Sequence, residues 1–312
     1  MHEKGRKGER EKGRRGDEER SHFVRVSLFL FYIFASFACL AGNSSAQDVD
    51  SIRSSIASGN VELIRNALFH IKNLHSEAAS RLAIPALNNP DEIVRATAAN
   101  SVIFLPKAEA SQVLTPLLAD KTEFVRTEAA FALGEVRDSS ATTPLIRTLE
   151  TDKSRVVKAA AATALGKIGD ASAVEPLGKI FRSQPNEDNE FLRRCAAHAI
   201  GMIAESLLKQ KATTTTPENF LPDKYKNGYL VSIEPDRPTL SQLPTFRVAT
   251  GILSKVLQNK KEADDTRREA AFALGAVGDP SSVSLLRANL NSPDTYLAEI
   301  CKEALLKIEE KK

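Results

Sequence analysis

The chain has 312 residues, 42% of them hydrophobic and 27% charged, with 43 basic residues against 40 acidic ones. The surplus of +3 belongs to residues 1–25, which hold nine basic and six acidic side chains, so residues 47–312 balance at 34 against 34. A neutral body speaks against the broad basic footprint of a nucleic-acid binder and leaves room only for a local basic stripe.

Residues 1–25 are charged and Gly-rich (Lys4-Gly5-Arg6-Lys7-Gly8, Gly13-Arg14-Arg15-Gly16). Such a composition cannot build a core, and the segment is expected to be a disordered basic leader. An uncharged apolar run of 15 residues follows, Val26 to Leu40, with Arg25 just before it and small residues at Ser44 and Ala46 behind it. A basic flank, a short apolar run and small residues at −3 and −1 form the pattern of a secretory signal peptide over 26–46, with cleavage expected after Ala46. The run is shorter than the roughly 18–20 residues of a membrane-spanning helix. An uncleaved signal anchor is the alternative, extended by Ala41 and Gly42. A lipoprotein signal at Cys39 is weaker, because Ser36 stands three residues before it. Translation starting nearer Val24 or Val26 is a further reading of the long leader.

From about residue 60 the chain repeats itself every 31–32 residues. The clearest copies are Phe124-Val125-Arg126-Thr127-Glu128-Ala129-Ala130-Phe131-Ala132-Leu133-Gly134 and Thr266-Arg267-Arg268-Glu269-Ala270-Ala271-Phe272-Ala273-Leu274-Gly275. Between them lie weaker copies ending at Gly166 and Gly201. Val125, Ala129, Ala132, Leu133 and Val136 fall on one helical stripe. Arg137-Asp138-Ser139-Ser140 then form a turn, and Ala141, Leu145, Ile146 and Leu149 mark a second helix. The next unit repeats the plan with Val157, Ala161, Ala164, Leu165 and Ile168, then Val174, Leu177, Ile180 and Phe181. The expected fold is all-α, a superhelix of about six and a half helical hairpins over 47–312, each burying its apolar face against its neighbours.

Pro85, Pro116, Pro144 and Pro176 recur at spacings of 31, 28 and 32 and are expected near the first turn of each second helix, where a missing N–H costs least. Arg95, Arg126, Lys158, Arg193 and Arg267 occupy matching places. Such a row reads either as a binding ladder or as structural pairing with turn acids such as Asp138, Asp170 and Asp279; pairing is the expectation.

These residues resemble a known family. The pattern Val-Arg-x-x-Ala-Ala-x-Ala-Leu-Gly-x-x-Gly-Asp-x-x-Ala-x-x-Pro-Leu, followed almost throughout by residues 153–183, is similar to short HEAT repeats of the type found in bilin lyases. The resemblance implies an armadillo/HEAT-like solenoid, and such arrays serve as scaffolds, adapters and occasional enzymes. Related HEAT proteins that hydroxylate a lysine derivative bind iron through repeated His-Glu pairs. The His-Glu pair of this chain is His2-Glu3, in the leader.

Gly201 and Gly275 match but lie 74 residues apart, so some 40 residues are inserted, at about 204–244. This stretch carries Pro217, Pro222, Pro235, Pro238 and Pro244, which no continuous helix accommodates. It also holds Phe220, Tyr225 and Tyr229, candidate aromatic anchors of a partner-binding loop. The other reading is a tolerated long loop, and the two stand level.

No catalytic, cofactor-binding or metal-ligating constellation is expected. His70, His75 and His198 have no Cys or His partner at metal-ligand spacing. Cys195 and Cys301 fall in different repeats, beyond disulfide reach, and read as thiols in helix seams. Phosphate-binding loops and a Gly-x-Ser-x-Gly elbow do not occur. Glu128 and Glu269 read as solvated helix positions. The function expected is that of an exported scaffold or adapter, periplasmic or secreted, presenting a surface of second helices to a protein partner. Contact with a membrane is expected only through an uncleaved leader. The alternative is a HEAT-repeat enzyme that attaches or removes a prosthetic group, or a hydroxylase by family resemblance.

Overall fold

The computed structural model describes residues 49–213 and 240–309. The expected leader and signal segment, 1–46, and the aromatic residues Phe220, Tyr225 and Tyr229 lie outside them. The chain divides into two units, Met1–Gly59 and Asn60–Lys312. The described part of the first is residues 49–59, with helix α1 over 49–57.

The second unit contains no strand among its described residues and builds helical hairpins in sequence. They pair α2 (Val61–Asn73) with α3 (Glu77–Ala83), α4 (Glu92–Ser101) with α5 (Lys107–Leu114), and α6 (Glu123–Val136) with α7 (Thr142–Thr151). They continue with α8 (Arg155–Ile168) and α9 (Val174–Lys179), α10 (Glu190–Thr213) and α11 (Pro244–Gln258), and α12 (Asp264–Val277) and α13 (Val283–Ala288). A lone α14 (Thr295–Glu309) closes the array, so the six and a half repeats expected from the period are present. The apolar stripe is the reason these segments are helices. Val125, Ala129, Ala132, Leu133 and Val136 of α6 are all buried, as are Val157, Ala161, Ala164 and Leu165 of α8.

Helix ends are set by local chemistry. Asp91 caps α4 by accepting from the N–H groups of Ile93 and Val94 at 2.9 and 3.1 Å, and Ser154 caps α8 in the same way. Gly169 and Gly278 end α8 and α12 in the left-handed conformation, at φ 81° and 76°. Arg137 does the same for α6 at φ 55°, where an L side chain is strained.

First helices form the tight layer. A Cβ added to Gly134 would stand 2.8 Å from Ala164 Cα, and one on Gly275 would stand 2.6 Å from Ala304 Cα. These glycines and the alanine pairs let neighbouring first-helix backbones pack against each other, whereas second helices of adjacent repeats pack less closely, α7 and α9 meeting through the Lys179–Glu150 ion pair at 3.2 Å.

The prolines fall into two classes rather than one. Pro144 and Pro176 lie in the first turns of α7 and α9, as expected. Pro85 and Pro116 instead follow α3 and α5, inside the 3-10 turns Ile84–Asn88 and Thr115–Ala119. Those second helices begin earlier, so proline arrives after the α ladder is established. Lacking an N–H, it cannot extend the i to i−4 bonding, and the chain tightens. The spacing of 28 between Pro116 and Pro144 marks the change of class.

Helix α10 continues through 204–213, and α11 starts at Pro244. The inserted stretch therefore lies within the fifth hairpin, between its two helices. Helix α10 packs directly on both α8 and α12, so the period fails in sequence while the stack continues in space.

Candidate functional site

A row of arginine clamps runs along the connections between repeats. Arg126 donates from Nε and Nη2 to the two oxygens of Asp152 at 2.7 and 3.1 Å and from Nη1 to the Asp120 carbonyl at 3.0 Å. Arg95 grips Asp120 in the same fork, at 2.8 and 3.0 Å, and donates from Nη1 to the carbonyls of Asn89 and Pro90 at 2.8 and 2.9 Å. Each arginine thus ties the loop before its own repeat to the loop before the next. The fork geometry is what planar guanidinium offers and lysine does not. Lys158, in the same place, reaches only the Glu150 carbonyl, at 3.1 Å. Burial works against the charged carboxylates of Asp120 and Asp152, but the guanidinium bonds and the N–H groups of Thr122 and Ser154 prevail and hold both below the usual carboxylate range.

The row is therefore structural pairing, but the partner acids differ from those expected. Asp138, Asp170 and Asp279 sit in the turn within each hairpin, where each accepts from a serine N–H two residues on. They cap the 3-10 turns that lead into second helices, and the clamps use acids of the connections between hairpins. In the sixth repeat the clamp is divided between neighbours. Arg267 donates to the Leu257 carbonyl at 3.2 Å, while Arg268 takes Asp294 in a fork at 3.0 and 3.0 Å. The fifth clamp is the most buried: Arg193 pairs with Glu262, 69 residues away across the insertion, donates to the Ser183 carbonyl at 2.8 Å, and lies over the Phe181 ring.

A second polar row joins adjacent first helices. Asn100 donates to Glu128 at 2.6 Å, and His198 Nδ1 meets Glu269 at 2.8 Å. Glu128 and Glu269 are thus partly buried acceptors between repeats rather than solvated positions. The hydrogen bond that Glu269 accepts raises the His198 imidazole above its usual value, against the effect of its partial burial. The ring also stacks on Phe272. His70 is exposed, and the His75 ring meets the edge of Phe104. Cys195 and Cys301 are free; burial pushes the Cys301 thiol up to about 11. Among the described residues, no group of three or more His, Cys, Asp or Glu side chains is placed to hold a metal ion.

One surface feature was not anticipated. The residue just before the buried apolar member of each Val-Arg type pair is itself apolar and exposed in five consecutive first helices: Leu63, Ile93, Phe124, Val156 and Phe191, from 40% exposed at Ile93 to 51% at Phe191. In the seventh, Tyr296 is 70% exposed; in the sixth, Asp265 takes the place. The signal was present in the sequence. Two adjacent apolar residues on a helix point about 100° apart, so where the second (Ile64, Val94, Val125, Val157, Leu192) enters the core, the first turns outward. Val248 is the one large exposed hydrophobic residue on a second helix among the described residues.

Comparison with known proteins agrees with this architecture. A model of HEAT repeats matches residues 49–134 and 123–190, and a model of the PBS lyase HEAT-like repeat matches 266–292, which is the sixth hairpin. Deoxyhypusine hydroxylase of Gallus gallus is 38% identical over 63 residues, 20% of this chain and 21% of that protein, so the chain matches about a fifth of that relative's length. Among solved structures, an engineered protein aligns with a TM-score of 0.50 at 19% identity, over 83% of this chain and 67% of its own. The phycocyanin lyase complex of CpcE and CpcF from Nostoc sp. aligns at 0.44 and 20% identity, over 84% and 87%. The chain thus carries HEAT repeats over residues 49–190 and a PBS lyase HEAT-like repeat over 266–292, in an α-solenoid.

Proposed function

We propose that this protein is an exported adapter that holds a protein partner along the exposed edge of its first helices. The row Leu63, Ile93, Phe124, Val156 and Phe191 carries the proposal. Apolar side chains scattered singly on a surface need no explanation, but a register-locked file of them is the kind of patch that marks an interaction site. This reading moves the docking surface from the second helices, which offer little apolar area, to the tight first-helix layer. Export rests on the pattern of residues 26–46, an apolar run with a basic flank and small residues before Gln47. Affinity purification with crosslinking from the native envelope fraction tests both parts. Recovery of one protein in fixed proportion, together with an N-terminus at Gln47, supports the reading. A protein found in the cytosol with no retained partner overturns it.

A second reading is favoured by the match of residues 266–292 to the PBS lyase HEAT-like repeat. It makes the protein an enzyme, or helper of one, acting on a prosthetic group. The absorbance spectrum of the native purified protein separates the two: a bound chromophore favours the second, and a colourless protein that retains its partner favours the first.

A further inference from the structure

The apolar row has a charged companion. The residue immediately before each apolar position is Glu62, Glu92, Glu123, Arg155 and Glu190 in the same five helices, every one exposed. The cation among them, Arg155, is paired with Asp188 at 3.1 Å. Glu62 is paired with Arg65 at 3.2 Å, and Glu92 accepts from the Thr122 hydroxyl at 3.2 Å. Arg194 lies over the Phe191 ring and is paired with Asp265 at 2.8 Å. The cations Lys121, Arg147 and Lys153 line a groove of about 710 Å³ beside second helix α7. The edge therefore presents a carboxylate–apolar pair in four of these five repeats and Arg155–Val156 in the fourth, and its exposed carboxylates Glu92, Glu123 and Glu190 favour a cationic partner over an anionic one.

The spacing restricts the backbone that can follow it. Packed helices lie about 8–10 Å apart, and Gly134 against Ala164 and Gly166 against Ala199 keep α6, α8 and α10 within that close-packed range. A β-strand alternates its side chains between faces, so every third residue points the wrong way. An α-helix returns a side chain to one line only every seventh residue, at about 10.5 Å. An extended polyproline II segment returns every third side chain to one face, at about 9 Å, which fits.

We infer that the occupant of this edge is an extended, cationic polypeptide segment with an apolar side chain at every third position, its basic residues meeting Glu92, Glu123 and Glu190. The inference rests on the adapter reading and names the partner chemistry it requires. The test measures fluorescence anisotropy of labelled peptides against the full chain. The probe is five Phe-Lys-Pro triplets; one control replaces Lys with Glu, and a second inserts a serine into every triplet. Two variants, F124S/F191S and E92Q/E123Q/E190Q, alter only exposed side chains, and circular dichroism and melting confirm that they fold. The expected result is binding of the triplet probe that weakens about tenfold or more in either variant, as loss of central interface anchors does, and that falls with salt. Equal binding by wild type and the F124S/F191S variant, or by the Glu-substituted or serine-spaced controls, overturns the inference. Crosslinked capture of the native partner by the same variants separates the two claims. If capture needs Phe124 and Phe191 while the cationic probe binds indifferently, the partner chemistry is wrong and the adapter reading survives. If capture is also unaffected, both fall.

Discussion

Arg193 and Glu262 face each other with 2% of either side chain exposed. Removing one partner of such a pair strands the other charge in the core, so Glu262→Gln should cost about 3–5 kcal/mol, measured by denaturant unfolding; a loss below about 1 kcal/mol would show that the pair is dispensable. Gly134→Ala sets two effects against each other. Alanine favours the helix by about 1 kcal/mol, while a Cβ 2.8 Å from the Ala164 backbone forces a shift in a close-packed seam, at about 1–3 kcal/mol. The obstacle is main chain, which cannot swing aside, so the net result should be destabilisation, and a raised melting temperature would contradict it. The His198–Glu269 contact gives a pH signature. Its imidazole is raised by the Glu269 bond, so the stability it adds is complete below the unfolded-state value, near 6.5, and disappears as pH rises through the higher folded value. The His198 side chain is 45% exposed, which keeps the effect small. Unfolding midpoints of wild type should fall relative to Glu269→Gln as pH rises from below 6.5 to well above it; parallel profiles would remove the link. None of these partners was legible in the chain alone. The arginine row announced itself by spacing, but which acid it met depended on which loop lay across the repeat boundary. The equivalent of Arg126 by alignment, Arg267, left the acid to its neighbour Arg268.

Helices and hairpins were far more legible, because an apolar stripe of period 3.6 with Gly and Asp punctuation admits few alternatives. Val125, Ala129, Leu133, Val157 and Leu165 were placed on the buried face from the sequence and are buried. Leu165→Ala should accordingly cost about 2–5 kcal/mol in the denaturant midpoint, and a loss under roughly 1 kcal/mol would mean that the site collapses without a cavity. The proline spacing misled for a physical reason. Both classes of proline sit near a second helix, but only the helix start, set by Lys107 in one repeat and Thr142 in another, decides whether proline begins an α-helix or ends one. The exposed row was legible in principle and overlooked, because adjacent apolar residues read as extra core when only the buried stripe is being sought.

The whole array combines a redundant scaffold with a specific edge. Clamps, caps and Gly–Ala seams recur in repeat after repeat and explain packing. What sets the first-helix edge apart is its file of exposed apolar side chains, four of the five preceded by a carboxylate. Phe124 stands near the middle of that edge, and Arg147 lines the groove beside second helix α7. The most direct test places a photo-crosslinking amino acid at each of these positions in turn and irradiates the native envelope fraction. The adapter account predicts a single discrete adduct from position 124 and none from position 147. Adducts from position 147 alone, or equal labelling from both, would contradict it.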